Sequence, residues 1–247
     1  YSEGFSQRGY PVLNYHEVAE NGILNYFTYD KLPEFYTQLQ GYLDEMKAAG
    51  AETTMVYLHW GDEYKWKTGE GPNTNQTAMA QKLCDMGVDV IVGGHPHVVQ
   101  PVDLLTSSVD AGHKTVVLYS MGNAVSNQRI KEMESEPTGH TEDGVLFCVT
   151  FSKYSDGSVY VDSAELIPTW VNMHSNSGTK EYNILPLEKS TASQWQAQFG
   201  LTDNQLASAK ASFDRTEALV LPGMEKAQTY FAQQKQLREP QAPDSAA

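Results

Sequence analysis

The sequence has few basic residues and no long apolar run. Its 17 Lys and Arg residues stand against 31 Asp and Glu residues, which gives a formal net charge of −14. This balance argues against nucleic acid as a partner, because phosphate backbones are bound by patches of Lys and Arg. It also disfavours anionic membrane surfaces. No apolar run approaches the roughly 20 residues that a membrane-spanning helix needs, so we expect no transmembrane segment in this chain.

Cysteine is scarce, and two common enzyme signatures are absent. The two cysteines, Cys84 and Cys148, each lie in an apolar segment, which favours two buried free thiols, although one disulfide is possible. The chain contains neither a Walker phosphate-binding loop nor the Gly-x-Ser-x-Gly of a nucleophile elbow. Cys84 lies in a helical, largely apolar stretch and is therefore a poor candidate nucleophile.

The first part of the chain alternates between helix and strand patterns. From Pro33, apolar residues recur at helical intervals up to a stop at Gly50, and a strand is predicted over 53–58. A second helix that ends at Gly87 is followed by a predicted strand over 88–92. Two successive helix–strand units predict parallel strands joined by right-handed crossovers, and therefore an α/β fold.

The pattern before and after these units differs. Residues 1–30 show no clear period and are predicted to be irregular. Further strands are predicted over 98–105 and 115–119, and a hairpin is predicted from strands over 145–151 and 158–167. This later half is expected to be more antiparallel than the first.

The composition changes again near residue 190. We predict a main domain over 1–188, a helical C-terminal extension over 189–237 and a disordered tail over 238–247. Within the extension, Pro222 and Gly223 are expected to end one helix before a second begins. The first residue is Tyr rather than Met, so we expect that a leader or a larger piece of protein has been removed.

Histidines follow both predicted parallel strands at their carboxyl ends. His59 comes directly after the first strand, and His95 and His97 flank Pro96 after the second. Ligands of such sheets bind beyond the carboxyl ends of the strands. Proline favours an extended backbone at the preceding residue, so both rings of the His-Pro-His motif should face one side. The two glycines before His95 should let the backbone turn.

This pattern predicts a metal site. Histidine is the commonest neutral nitrogen ligand of zinc-like cations. The two imidazoles of a His-x-His motif, with α-carbons roughly 6–7 Å apart, suit two metals about 3.5–4 Å apart. We therefore predict His59, His95 and His97 as ligands. The alternatives are ordinary loop histidines and, for His59, a hydrogen-bonded core residue.

Two other polar residues lie near these motifs in the sequence. Glu63 could hydrogen-bond a ligand histidine, or be a solvated acid. Asn123 ends the Ser-Met-Gly-Asn stretch after the third strand; it could contact a metal or substrate, or only form a turn. The remaining histidines are predicted to be surface residues: His16, His113, His140 and His174.

Three stretches carry a family resemblance: HWGDEY at 59–64, GVDVIVGGHPHVVQP at 87–101 and YSMGN at 119–123. They resemble the bacterial capsule-synthesis CapA family of poly-γ-glutamate biosynthesis proteins, which belongs to the calcineurin-like metallophosphatase superfamily. The resemblance covers roughly residues 30–170. It implies a metallophosphatase-like four-layer α/β/β/α sandwich with two divalent metal ions, such as Mn, Zn or Fe.

The resemblance also implies roles. His59 and His95 would share one metal and His97 would bind the other, with Glu63 and Asn123 in support. The family's earlier half brings Gly-Asp, Asn-Leu-Glu and Asn-Asn-His segments, and none of them is found in this sequence. The chain is therefore expected to be the C-terminal half of the fold. The bridging carboxylate and the general-acid histidine would lie in the other half, which a companion chain could carry, so the catalytic residues here are unassigned.

The function implied is a capsule or poly-γ-glutamate biosynthesis protein of the cell envelope, secreted or lipid-anchored. It would be a dinuclear-metal-dependent hydrolase of a phosphoester or amide, acting on an anionic polymer or a phosphorylated small substrate. One alternative is a non-catalytic envelope assembly or binding module that retains the fold. Another is a general phosphoesterase acting on a nucleotide or sugar phosphate, which fold-level analogy does not separate from the first.

Overall fold

Strands make up most of the elements, and helices and strands alternate between residues 32 and 94. The computed structural model describes residues 25–67, 69–134 and 137–238, and the backbone of strands at 2–3, 5–7, 10–13 and 16–17. The early strands are β1 (Ser2–Glu3), β2 (Phe5–Gln7), β3 (Tyr10–Leu13), β4 (His16–Glu17), β5 (Tyr26–Phe27), β6 (Met55–His59) and β7 (Val90–Gly94). The later strands are β8 (Val102–Thr106), β9 (Lys114–Leu118), β10 (Asp143–Lys153), β11 (Val159–Asn176) and β12 (Thr179–Pro186). The helices are α1 (Leu32–Ala48), α2 (Thr74–Asp85), α3 (Trp195–Phe199) and α4 (Asp203–Arg238).

The largest sheet has six strands in the order β5-β1-β6-β7-β9-β8. Strands β6, β7 and β9 are parallel neighbours, and β8 pairs antiparallel with β9 at the edge. The two predicted helix–strand units and their parallel strands are therefore confirmed. The early strands show that residues 1–30, predicted to be irregular, contain regular structure, and the prediction was wrong there because short strands carry no readable period.

The described helices α1 and α2 cover one face of this sheet. Phe35, Leu39 and Leu43 of α1 and Met79 and Leu83 of α2 are buried against it. Helix α2 begins with a capping box, in which the side chains of Asn73 and Gln76 each accept a hydrogen bond from the other's backbone N–H. The glycines predicted to follow the two helices, Gly50 and Gly87, both have positive φ angles, +92° and +87°.

A second, antiparallel sheet packs against the other face. Its order is β10-β11-β12, and its inward side chains form one core with β7, β8, β9 and α4. The hairpin predicted over 145–167 is confirmed as β10 and β11. The successive layers are therefore helices, a mixed sheet and an antiparallel sheet. The predicted α/β class is confirmed, and this layering is consistent with a metallophosphatase-like sandwich.

Helix α4 contradicts the predicted break at Pro222 and Gly223, because it runs unbroken from Asp203 to Arg238. Proline removes one backbone hydrogen bond at a cost of about 3 kcal/mol. The apolar stripe continues across it, with four buried side chains: Val220, Met224, Ala227 and Phe231. Burying Val220, Met224 and Phe231 is worth about 1.5–3 kcal/mol each. Gly223 also lies against β8, where a Cβ would stand 1.8 Å from the Val102 carbonyl oxygen. Tertiary packing thus outweighs the local signal.

The region after residue 188 is mostly helical. A short 3-10 turn (Lys189–Thr191) and α3 precede α4, and the predicted domain boundary after residue 188 stays a prediction. Arg238 is the last helical residue, and 239–247 lie outside the described residues.

Both cysteines are free. Cys84 is buried, but Cys148 is exposed on β10, contrary to the prediction. None of the helices in the described ranges is long and apolar enough to cross a membrane.

Candidate metal centre

Three strand ends meet at one edge of the large sheet. His59 is the last residue of β6 and pairs in register with Gly94, the last residue of β7. His95 therefore follows immediately beside His59, and the centroids of the two imidazole rings are 4.5 Å apart. Asn123 reaches the same place from the segment after β9. The structure thus confirms that the strand ends bring His59, the His-Pro-His motif and Asn123 to one edge of the sheet.

The backbone of the His-Pro-His motif differs from the predicted extended form. His95 has φ +99° and His97 has φ +59°, both in the left-handed region. Hydrogen bonds from neighbouring loops fix this turn: the Trp60 amide donates to the Gly94 carbonyl (3.1 Å), and the Tyr64 amide donates to the Pro96 carbonyl (2.8 Å). The local preference imposed by proline was therefore overridden. The ring centroids of His95 and His97 are 6.3 Å apart.

The glycines before His95 also have a different role from the predicted one. Gly93 and Gly94 are part of strand β7 and do not form the turn. A Cβ on Gly93 would lie 2.0 Å from the Tyr119 carbonyl oxygen, and one on Gly94 would lie 2.2 Å from the Tyr57 hydroxyl. Gly93 is therefore required by the close approach of the Tyr119 backbone, whereas the space beside Gly94 is filled by the Tyr57 side chain. A different glycine, Gly61, has φ +86° and turns the chain in the loop after β6.

Burial keeps the paired imidazoles neutral. Burial, together with the nearby His95 and His97, lowers the pKa of His59 to about 4. Burial also lowers the pKa of His95, although Glu63 acts in the opposite direction. Neutral imidazoles have the free nitrogen lone pair that a metal ion requires. At neutral pH the His59–His95 pair is therefore suited to accept a cation.

Asn123 fixes the orientation of His97. Its side-chain amide nitrogen donates to the carbonyl oxygens of His97 (3.1 Å) and Thr141 (2.9 Å) and to Gln128 Oε1 (3.0 Å). Its Oδ1 must then be the atom that faces His97 Nδ1 at 2.9 Å, and it can only accept. His97 Nδ1 is consequently the protonated nitrogen, and Nε2 has the lone pair. That Nε2 lies 3.8 Å from Glu63 Oε1, so Glu63 is a near neighbour without a hydrogen bond.

Sequence reasoning missed several residues that shape this centre. Tyr64 stacks on His97 with ring centroids 5.9 Å apart, and its hydroxyl accepts a hydrogen bond from Gln128. His140, predicted to be a surface residue, is buried and stacks on Trp66 with centroids 3.6 Å apart. Tyr64 could have been noticed because it ends the HWGDEY stretch. Nothing in the sequence around His140 signals its contact with a loop more than 70 positions away.

The donor set fits a metal only in part. His59 and His95 provide two adjacent imidazoles for one cation, and His97 presents Nε2 beside them. Within the described parts of the chain, no group of three or more His, Cys, Asp and Glu side chains is close enough to hold a metal ion. The three predicted ligands therefore remain predictions, and they do not complete a coordination shell by themselves.

The comparisons with known proteins cover the same motifs. Residues 10–128 match the family model described as bacterial capsule synthesis protein PGA_cap. Over these residues the chain is similar to the CapA-like family of bacterial capsule synthesis proteins. A "PGA biosynthesis protein CapA" of Bacillus subtilis (strain 168) is 38% identical over 78 residues, which are 32% of this chain and 18% of that protein.

A second relative gives a similar result for this CapA-like chain. The "Capsule biosynthesis protein CapA" of Bacillus anthracis is 39% identical over 82 residues, 33% of this chain and 17% of that protein. The matched segment thus spans less than a fifth of the length of either relative. The family resemblance predicted from the strand-end motifs is confirmed, whereas the substrates and partners of the whole proteins are not transferred by it.

Lowering the pH is expected to destabilise this CapA-like chain through His59. The pKa of its imidazole is about 4 in the folded protein, below its ordinary value of 6.5. Between these two values the unfolded chain binds a proton that folded His59 does not. Stability should therefore fall as the pH falls from about 6.5 to about 4. Urea unfolding in the presence of a chelator, at several pH values, measures this slope.

The matched variants are His59→Gln and His174→Gln. The first should flatten the decline in stability over this pH range because it removes the titrating group. The second replaces a histidine on β11 that pairs with Glu181 and should leave the His59 contribution in place. Equal slopes in the parent and His59→Gln would contradict the assignment.

Proposed function

We propose that this chain carries part of the metal centre of a capsule or poly-γ-glutamate biosynthesis protein that acts as a dinuclear-metal-dependent hydrolase. The observation that supports it most is the contact of His59 and His95, with ring centroids 4.5 Å apart at the ends of adjacent parallel strands. His59 and His95 would share one divalent ion, Mn, Zn or Fe. His97 would bind the second through Nε2, with Asn123 and Glu63 in support.

The metal ions would supply Lewis acidity and a bound water of lowered pKa for attack on a phosphoester or amide. The residues of this chain would hold the ions at the ends of the strands. Asn123 keeps His97 in the tautomer with a free Nε2. The further ligands that a complete centre needs would come from a companion segment, on the same polypeptide or on a separate chain.

The substrate class that we propose is an anionic polymer or a phosphorylated small molecule. The names of the relatives refer to PGA and capsule biosynthesis, and an envelope location is the corresponding proposal for this chain. The net charge of −14 would repel a polyanion. The cations at the strand ends would therefore have to provide the local attraction.

A non-catalytic assembly or binding module is the second candidate. It is favoured by the incomplete ligand set of the described residues, which does not reach three clustered metal-binding side chains. A module of this kind would bind capsule polymer without cleaving it. A panel of p-nitrophenyl phosphate esters and poly-γ-glutamate, tested with and without metal, separates the two candidates.

Metal titration tests the proposal directly. Isothermal titration of the purified chain with Mn²⁺, Zn²⁺ or Fe²⁺ should detect binding that His59→Ala and His95→Ala each weaken by more than about 100-fold, beyond the loss typical of outer-shell partners. His174→Ala, at a histidine of β11 outside the centre, is the control and should bind like the parent. Equal affinity of the parent and the His95→Ala variant would refute the ligand assignment.

A further inference from the structure

The turn at 139–143 holds Asn123 in place. Asn123 donates its side-chain amide to the Thr141 carbonyl (2.9 Å) and its backbone amide to the Asp143 carbonyl (3.1 Å). Gly139, with φ +86°, starts the turn, and the Glu142 amide donates to its carbonyl. Asn123 and the turn residue Thr141 are both buried. The position of Asn123, and through it the orientation of His97, thus depends on this turn.

Arg215 of helix α4 fastens both ends of the same turn. Its Nε donates to Asp143 Oδ2 (2.9 Å) and its Nη2 to Asp143 Oδ1 (2.8 Å), which forms a bidentate pair. Nη2 also donates to the Gly139 carbonyl (3.2 Å). The side chain of Asp143 is 2% exposed and that of Arg215 is 22% exposed. Ser212, one turn before Arg215 on α4, and Thr216, the next residue, are fully buried.

We infer that Arg215 is a positioning residue for the metal centre: it fixes the 139–143 turn, which fixes Asn123, which sets the tautomer of His97. Helix α4 thereby orients the His97 imidazole through the turn and Asn123, without contacting His97 itself. Arg215 lies beyond residues 10–128, the part matched by the family model. The consequence for metal binding rests on the proposed function, whereas the effect on the His97 tautomer does not.

The geometry requires arginine at this position. A planar guanidinium can bind both carboxylate oxygens and a carbonyl at once, and a lysine ammonium cannot reproduce that fork. Without the three contacts, the turn can shift relative to Asn123, and Oδ1 no longer has to face Nδ1 of His97. The imidazole is then free to take either tautomer, and the Nε2 lone pair is present in only part of the population.

The test uses Arg215→Met and Arg215→Lys, with Lys226→Met as the matched control. Lys226 also lies on α4 and pairs with a carboxylate, Asp103 (2.8 Å), but that pair is exposed and remote from the turn. The ¹⁵N chemical shifts of the His97 ring in metal-free protein report the tautomer. We expect one Nδ1-protonated form in the parent and in Lys226→Met, and a mixture of tautomers in both Arg215 variants.

A second readout and a second variant separate positioning from folding. Zn²⁺ or Mn²⁺ affinity should fall about 10-fold in the Arg215 variants, the lower end of the range for outer-shell partners. The double variant Arg215→Met/Asp143→Asn removes the unpaired buried charge, so it should regain stability and keep the mixed tautomers. An unchanged tautomer in this double variant would overturn the inference. If the parent binds no metal, the proposed function fails, while the tautomer measurement still decides the role of Arg215.

Discussion

The Trp60→Ala variant is expected to lose about 3–5 kcal/mol of stability, the range for deleting a buried aromatic side chain. Trp60 is fully buried in the core beneath α1 and α2. Its indole Nε1 donates to the Tyr119 carbonyl (2.9 Å), and its ring stacks on that of Tyr119 with centroids 6.0 Å apart. Alanine removes the packing, leaves a cavity, and strands an acceptor in a dry interior. Because small proteins have only about 5–15 kcal/mol of stability, the unfolding midpoint should fall sharply.

Urea denaturation followed by circular dichroism measures the change. The control is Met55→Ala on β6, the strand that leads to Trp60, where the side chain is 54% exposed. A substitution at such a position should change stability by about 0.5 kcal/mol. Similar losses in the two variants would mean that the core is not organised around Trp60.

The Glu142→Ala variant should lose about 3–5 kcal/mol, because it breaks a buried ion pair by removing one partner. Glu142 Oε2 lies 2.9 Å from Arg129 Nη2, and the two side chains are 7% and 11% exposed. The Glu142 carboxylate also accepts hydrogen bonds from Trp170 Nε1 (3.1 Å) and the Ile130 amide (3.1 Å). Alanine removes the acceptor of three donors and leaves the Arg129 charge without its carboxylate, although Arg129 Nη1 still donates to the Val171 carbonyl. Burial already lowers the pKa of Arg129, which shows that its charge is poorly solvated there.

The matched control is Glu52→Ala. Glu52 pairs with Lys153 at 2.6 Å, but both side chains are about half exposed or more. An exposed pair of this kind contributes about 0–1 kcal/mol. Chemical denaturation of both variants compares a buried with an exposed ion pair in one protein. A loss below 1 kcal/mol in Glu142→Ala would show that solvent or a rearranged Arg129 replaces the carboxylate.

The sequence patterns predicted the elements that carry a clear local signal. Helix α1 and strands β6 and β7 have apolar residues at clear intervals, and Gly50 and Gly87 mark the helix ends. Helix α4 was predicted in two pieces because Pro222 is a strong local signal. Its continuity depends on contacts with β8 that are distant in the sequence. Rules based on local sequence therefore predicted the elements that have a clear local pattern. They failed for α4, because contacts with distant parts of the chain decide whether the helix continues.

The candidate site shows the same division. The adjacency of His59 and His95 follows from parallel strands and the equal positions of the two residues at strand ends. The left-handed turn at His95, the Asn123 contacts and the pairing of Arg215 with Asp143 all depend on segments that meet only in the folded chain. No spacing in the sequence brings residues 97, 123, 141 and 215 together. The candidate ligand positions and Asn123 could be named from the sequence because each follows a strand, whereas Thr141 and Arg215 could not.

The left-handed turn at His95 and His97 has a cost in folding stability. A non-glycine residue in this region costs roughly 1–2 kcal/mol, and two such residues lie within three positions. Glycine adopts positive φ angles without this penalty, so it would relieve the backbone strain at either position. The two imidazoles are therefore held at these positions by the rest of the fold, against the preference of their own backbone.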